Sequence, residues 1–130
     1  MTMNPVGWFE IYVDDMPRAR AFYEGVFNVQ LESMVDPAPG ELGAGLEMLA
    51  FPAHMEQYGA GGALCKMEGI AAGGNSTIVY FACDDCAVEQ SRVEACGGTI
   101  FKPKFAIGEH GFISLLTDTE GNMIGLHSMS

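Results

Sequence analysis

The hydrophobic and polar positions of this chain follow one pattern that is used twice. Aromatic and β-branched residues from Phe9 to Val13 predict a strand. Asp14 or Asp15 then offers a side-chain acceptor to the free amides of a helix start, and Pro17 suits the first turn. Ala19, Phe22, Tyr23, Val26 and Phe27 recur at helical spacing and give one apolar face, with Asn28 as a stop. The same order returns later. The segment from Trp8, WFEIYVDDMPRARAFYEGVFNVQLE, aligns with IVYFACDDCAVEQSRVEACGGTIFK, so that Asp14 and Asp15 match Asp84 and Asp85.

Further strands are expected at Val29 to Val35, Gly45 to Ala53 and Ala63 to Met67, with a Pro- and Gly-rich turn over Asp36 to Gly45 and a flexible tract from Met55 to Gly62. The Gly- and Ala-rich stretch Glu68 to Ser76 joins the halves. In the second half a strand is expected at Thr77 to Cys83 and a helix at Cys86 to Ala95, its apolar face formed by Val88, Val93 and Cys96 and its end capped by Gly97 and Gly98. Strands near Thr99 to Lys102, Phe112 to Thr117 and Met123 to Ser128 complete it. Asp118 to Asn122 forms the last turn, where Gly and Asn accept positive φ.

Composition narrows the class. The 130 residues are 48% apolar and 18% charged, which suits one globular domain over residues 1–130. No run of about 18 apolar residues is present to span a bilayer. Met1 to Pro5 lack a basic region followed by an apolar stretch, so the expected location is cytoplasmic. Six basic against seventeen acidic residues give a net charge of −11, which disfavours nucleic-acid and membrane partners. Cys83 and Cys86 form one C-x-x-C. A zinc site needs a second pair, and a redox pair is opposed by the charges of Asp84 and Asp85, which raise a thiol pKa. Those two, with Cys65 and Cys96, read as core-filling thiols.

Three segments, VDDMPRARAFYEGVF, YFACDD and TDTEGNMIGLHS, together with the repeat, resemble the vicinal oxygen chelate superfamily, the glyoxalase, bleomycin resistance and extradiol dioxygenase group. The resemblance covers essentially the whole chain and implies an α+β fold. Two tandem βαβββ modules, about 1–68 and about 76–130, would form curved mixed sheets around a concave cavity with helices outside. It also implies a homodimer. Metal-dependent members hold a divalent ion through His, Gln or Glu at matching positions of the two halves. Those positions carry Trp8, Ile78 and Gly125 here, with Cys65 as the approximate fourth. Indole, aliphatic and hydrogen substituents donate no lone pair, so no metal cofactor is expected.

Side chains alternate along a strand, so residues two places from a cavity-facing position share its face. This selects Glu10 and Tyr12 beside Trp8, Tyr80 beside Ile78 and His127 beside Gly125. A carboxylate among aromatic rings is desolvated, which raises its pKa and suits proton abstraction next to a carbonyl. Glu10 is therefore the candidate base and His127 its partner in proton transfer, with Trp8, Tyr12 and Tyr80 as ligand-binding residues. Against this, Glu10 can simply satisfy the sheet interior, and Trp8, Tyr12 and Tyr80 can be core. His54 and His110 lie in loops, and Met48, Met55 and Met67 either fill core or give an adaptable pocket. Two functions stay open, beside a third reading in which the chain is a subunit whose cavity is vestigial. One is a metal-independent lyase or isomerase, related to lactoylglutathione lyase, acting on a small carbonyl compound. The other is a non-catalytic protein that sequesters a small molecule such as a drug or antibiotic.

Overall fold

The structure is a computed structural model, and it describes residues 4–34, 45–54 and 56–130. The elements run β1 (Trp8–Tyr12), α1 (Met16–Phe27), β2 (Glu32–Ser33), β3 (Leu46–Ala50), β4 (Gly61–Met67), β5 (Tyr80–Ala82), α2 (Cys86–Val93), β6 (Thr99–Ala106), β7 (Phe112–Thr117) and β8 (Met123–Ser128). A single 3₁₀ turn, Gly108–His110, precedes β7. The strands form two four-stranded mixed sheets of matching order, β1-β4-β3-β2 and β5-β8-β7-β6. In each sheet the first strand pairs parallel with the last strand of its own module, and the rest pair antiparallel. The repeated βαβββ module read from the sequence is thus the unit of the fold.

Local chemistry sets the helices. Asp15 caps α1 by accepting from the Arg18 amide at 3.0 Å, and Pro17 lies in the first turn. Asn28 ends the helix in the left-handed region at φ 54°, its amide donating to the Glu24 carbonyl. Asp85 caps α2 through the Ala87 amide at 2.9 Å. The face of α2 differs from expectation. Cys86 and Val93 are buried, whereas Val88 is half exposed and contributes little to the core.

Strand ends also shift. The first strand of the second module is only Tyr80–Ala82, leaving Ile78 ahead of the ladder. The strand expected from Val29 reduces to Glu32–Ser33, at a sheet edge. Val35, Met55 and the turn over 36–44 lie outside the described residues. Conversely, β6 continues beyond Lys102 to Ala106 through Pro103. It is an edge strand with register shifts on both sides of Lys102, where a residue without an N–H is tolerated.

One core serves both modules. Phe22, Tyr23 and Val26 of α1 are buried with Leu64 of the first sheet and Leu116, Ile124 and Leu126 of the second. α1 and α2 pack on each other. The contact is close at Gly98, where a Cβ would stand 2.5 Å from the Phe22 ring and 2.7 Å from the Thr117 carbonyl oxygen. Only glycine fits there. Each fully buried Phe, Leu or Ile in this core contributes about 1.5–3 kcal/mol.

Candidate functional site

Alternation in β1 turns Ile11 into the core and leaves Trp8, Glu10 and Tyr12 on the opposite face. There they form one hydrogen-bonded group. The Trp8 indole N–H donates to Glu10 Oε2 at 3.2 Å, and the Tyr12 hydroxyl donates to Glu10 Oε1 at 2.9 Å. The bond to Glu10, burial and the carboxylate's charge raise the Tyr12 pKa to about 12, so this phenol stays a donor. Cys65, paired with Tyr12, is buried next to the same carboxylate. Burial first, and Glu10 second, push its thiol up to about 12. Glu10 itself is exposed. Trp8 and Tyr12 hold the carboxylate from either side by hydrogen bonds, where the sequence suggested enclosure among aromatic rings.

Glu10 and Tyr12 line a hollow of about 300 Å³ between β1 and the segment leading to β5, with Asn75 and Asn122 supplying amides. Tyr80 and His127 lie elsewhere. They line a second hollow of about 360 Å³ with Tyr58, Ile107 and Ile113. His127 Nε2 sits 2.7 Å from the His110 carbonyl oxygen. A carbonyl only accepts, so Nε2 carries the proton and donates. His110 therefore contributes backbone to the site, while its side chain and that of His54 are in exposed positions. The five candidate residues thus separate into Trp8, Glu10 and Tyr12 in one group and Tyr80 with His127 in another. Tyr58 and the two asparagines were missed by sequence reasoning. Tyr58 was hidden in the Gly-rich tract before β4, and Asn122 in a turn read only for its backbone.

The strand register redraws the metal positions. Tyr12 corresponds to Ala82 under the internal repeat. Tyr12 pairs with Cys65 and Ala82 with His127, which makes Cys65 the counterpart of His127. Glu10 pairs with Ala63 and Tyr80 with Gly125, so Ala63, not Cys65, is the mate of Gly125. The strand pairing therefore differs from the sequence alignment by two residues. The four positions are then Trp8, Ala63, Ile78 and Gly125, and none offers a donor atom. A Cβ on Gly125 would stand 2.3 Å from the Tyr80 ring, which lies over that glycine. These residues do not fit a divalent ion. Among the described residues no group of three or more His, Cys, Asp or Glu side chains could hold one.

The C-x-x-C pair is also placed. All four cysteines are free thiols. Burial first, and the Glu89 carboxylate second, push Cys83 up to about 12. The expected direction is right but the cause differs: Asp85 caps α2 and binds the Lys104 ammonium at 2.8 Å.

The model of the Glyoxalase/Bleomycin resistance protein/Dioxygenase superfamily matches residues 6–126. The chain belongs to this superfamily. Among curated proteins it is 30% identical over 121 residues to CFP32 of Mycobacterium bovis and of Mycobacterium tuberculosis, a protein provisionally described as a glyoxylase. That match covers 92% of this chain and 43% of CFP32, so the chain spans less than half the length of the curated relatives it matches. Among solved structures, glyoxalase I from Zea mays superposes with a TM-score of 0.70 at 20% identity, covering 93% of this chain and 43% of the maize chain. TnmS3, an antibiotic-binding protein from a Streptomyces species, superposes with a TM-score of 0.65 at 23% identity, covering 100% of this chain and 99% of TnmS3. At these identities the superfamily members share the fold. Among the described residues of this member, no helix is long and apolar enough to cross a membrane.

Proposed function

We propose that this superfamily member binds a small organic molecule and holds it without chemical change, needing no metal. The observation that carries this reading is the separation of Glu10 from His127. A proton relay shared by Glu10 and His127 needs both groups within hydrogen-bond reach of one substrate, yet they line different hollows. Aromatic walls with a few polar groups, as Tyr58, Tyr80 and His127 provide, are the usual lining of a small-molecule site. TnmS3, which matches this chain end to end, is an antibiotic-binding protein, and its name supports the same reading. Cytoplasmic residence and a homodimer belong to the proposal through composition and the family resemblance, and sedimentation tests the latter.

A lyase or isomerase acting on a small carbonyl compound is favoured by one observation. Glu10 is held by Trp8 and Tyr12 in a defined position on an accessible face, as a proton-abstracting base requires. The two readings separate when small carbonyl compounds are incubated with the protein in D₂O and proton exchange next to the carbonyl is followed by NMR. The binding reading expects thermal stabilisation by an organic ligand and no exchange above the protein-free rate. Exchange that disappears in Glu10→Gln would overturn it and establish the catalytic one.

A further inference from the structure

A hollow of about 580 Å³ lies where the end of α1, β1, β5 and α2 meet. Its walls are aromatic. Phe27 and Phe81 have ring centroids 4.5 Å apart, and Phe51 stands 5.4 Å from Phe81. The exposed rings of Tyr58 and Tyr80 also line it. Neither Glu10 nor His127 does.

One charged side chain, Glu89 of α2, lines this hollow. Its Oε1 is buried and has no hydrogen-bond partner among the described residues. The groups nearby are engaged elsewhere. Arg92 reaches only the other oxygen, Oε2, at 3.9 Å, and gives its Nε to the Val26 carbonyl at 2.8 Å. The Cys83 thiol is the exception, since it lies against Glu89 as well, but it is only a weak donor and also bonds to the Phe81 carbonyl oxygen at 3.5 Å. Buried polar atoms without partners are few in native proteins, and each calls for an explanation. A carboxylate oxygen beside aromatic faces matches one ligand chemistry well. A protonated amine gives the strongest hydrogen bond to a carboxylate and is attracted by the faces of aromatic rings. A net charge of −11 draws cations towards the protein.

We infer that this hollow is a binding site for an aromatic cation, its ring among Phe27, Phe51 and Phe81 and its protonated amine on Glu89 Oε1. The inference rests on the small-molecule-binding reading above and adds to it the site and the charge of the ligand.

Calorimetric titration with three indoles of similar size tests this: tryptamine as the cation, tryptophol as the neutral compound and indole-3-propionate as the anion. Tryptamine is expected to bind wild-type protein at least about tenfold more tightly than the other two. Glu89→Gln, which keeps the side-chain shape, abolishes that preference, whereas Glu32→Gln, at an exposed position of the edge strand β2, keeps it. Phe81→Leu weakens tryptamine as an independent check on the location. Equal affinity for the three compounds, a preference that survives Glu89→Gln, or one that is lost in Glu32→Gln would each overturn the proposal. If tryptamine fails to bind while other organic compounds raise the melting temperature, the cation site falls and the general binding reading stands. If no organic compound of any charge binds, both fall.

Discussion

Arg18, in the first module, and Glu120, in the last turn of the second, are joined by two hydrogen bonds. Arg18 Nε lies 2.7 Å from Oε2 and a terminal nitrogen lies 3.0 Å from Oε1. The same carboxylate accepts from the Asp14 and Asp15 amides at 3.0 and 2.8 Å and from the Thr119 hydroxyl at 2.8 Å. A turn of one module thereby caps the helix of the other. Glu120 is fully buried in its side chain, while Arg18 remains half exposed.

Burial alone would raise the Glu120 pKa, but Arg18, the two amides and Thr119 outweigh it and hold the carboxyl at about 2. A depressed folded-state pKa means the stabilisation is present above the unfolded value and is lost as pH falls through the folded one. Stability should therefore decline between about pH 4.5 and pH 2, by roughly 1–2 kcal/mol after allowance for screening at the half-exposed Arg18. Urea titrations across that range, on wild type and Glu120→Gln, should show the decline in the first and a shallower one in the second. Glu120→Ala should cost about 2 kcal/mol, since it leaves several partly buried donors without their acceptor.

A second link between the modules is fully buried. The Tyr23 hydroxyl donates to Asp118 Oδ2 at 2.6 Å, and Asp118 also accepts from the Glu120 and Asn122 amides. Tyr23→Phe should destabilise by about 2 kcal/mol, because a hydrogen bond to a charged group is lost in the interior. Burial first, and Asp118 second, raise the Tyr23 pKa well above its ordinary 10. Its stabilisation is present below pH 10 and lost above it, as the unfolded chain ionises and the folded one does not. Denaturant midpoints from pH 9 to pH 12 should fall for wild type and fall less for Tyr23→Phe.

Cys65 and Cys83 should resist alkylation at pH 8. With both thiols held up to about 12 by burial and a neighbouring carboxylate, the reactive thiolate is scarce. Mass spectrometry of iodoacetamide-treated native protein should show these two unmodified, and denatured protein should show all four modified. Fast labelling of Cys83 in the native state would contradict its position beside Glu89.

Metal-stripped protein should melt at the same temperature with and without Ni²⁺, Zn²⁺, Co²⁺, Mn²⁺ or Fe²⁺. A ligand bound only by the native state at 100 times its dissociation constant stabilises by about 2.7 kcal/mol, which a small domain reveals readily. A stoichiometric shift would overturn the reading of Trp8, Ala63, Ile78 and Gly125 and direct mutagenesis to Glu10 and His127.

Much of the fold was legible because it is written locally. The spacing of Ala19, Phe22, Tyr23 and Val26 makes a helix face wherever the chain goes, and Asp15 and Asp85 cap helices through amides two or three residues away. Alternation likewise set Trp8, Glu10 and Tyr12 on one face of β1. The same sequence could not reveal that β6 runs on through Pro103, since that depends on its being an edge strand. Val88 fits the helical pattern of α2 yet stays half exposed, because no element among the described residues covers it.

The sequence by itself determined the repeated module, the helix caps and the chemistry available at each position: a residue's donors and its local hydrogen bonds travel with it. Tertiary structure alone decided which residues meet. The parallel pairing of β1 with β4 puts Ala63 opposite Glu10. The packing of the two modules carries Glu120 to Arg18, divides Glu10 from His127, and leaves Glu89 beside Phe27, Phe51 and Phe81. Those contacts join residues far apart in the chain, where loop length and the packing of whole elements fix position and no local pattern does.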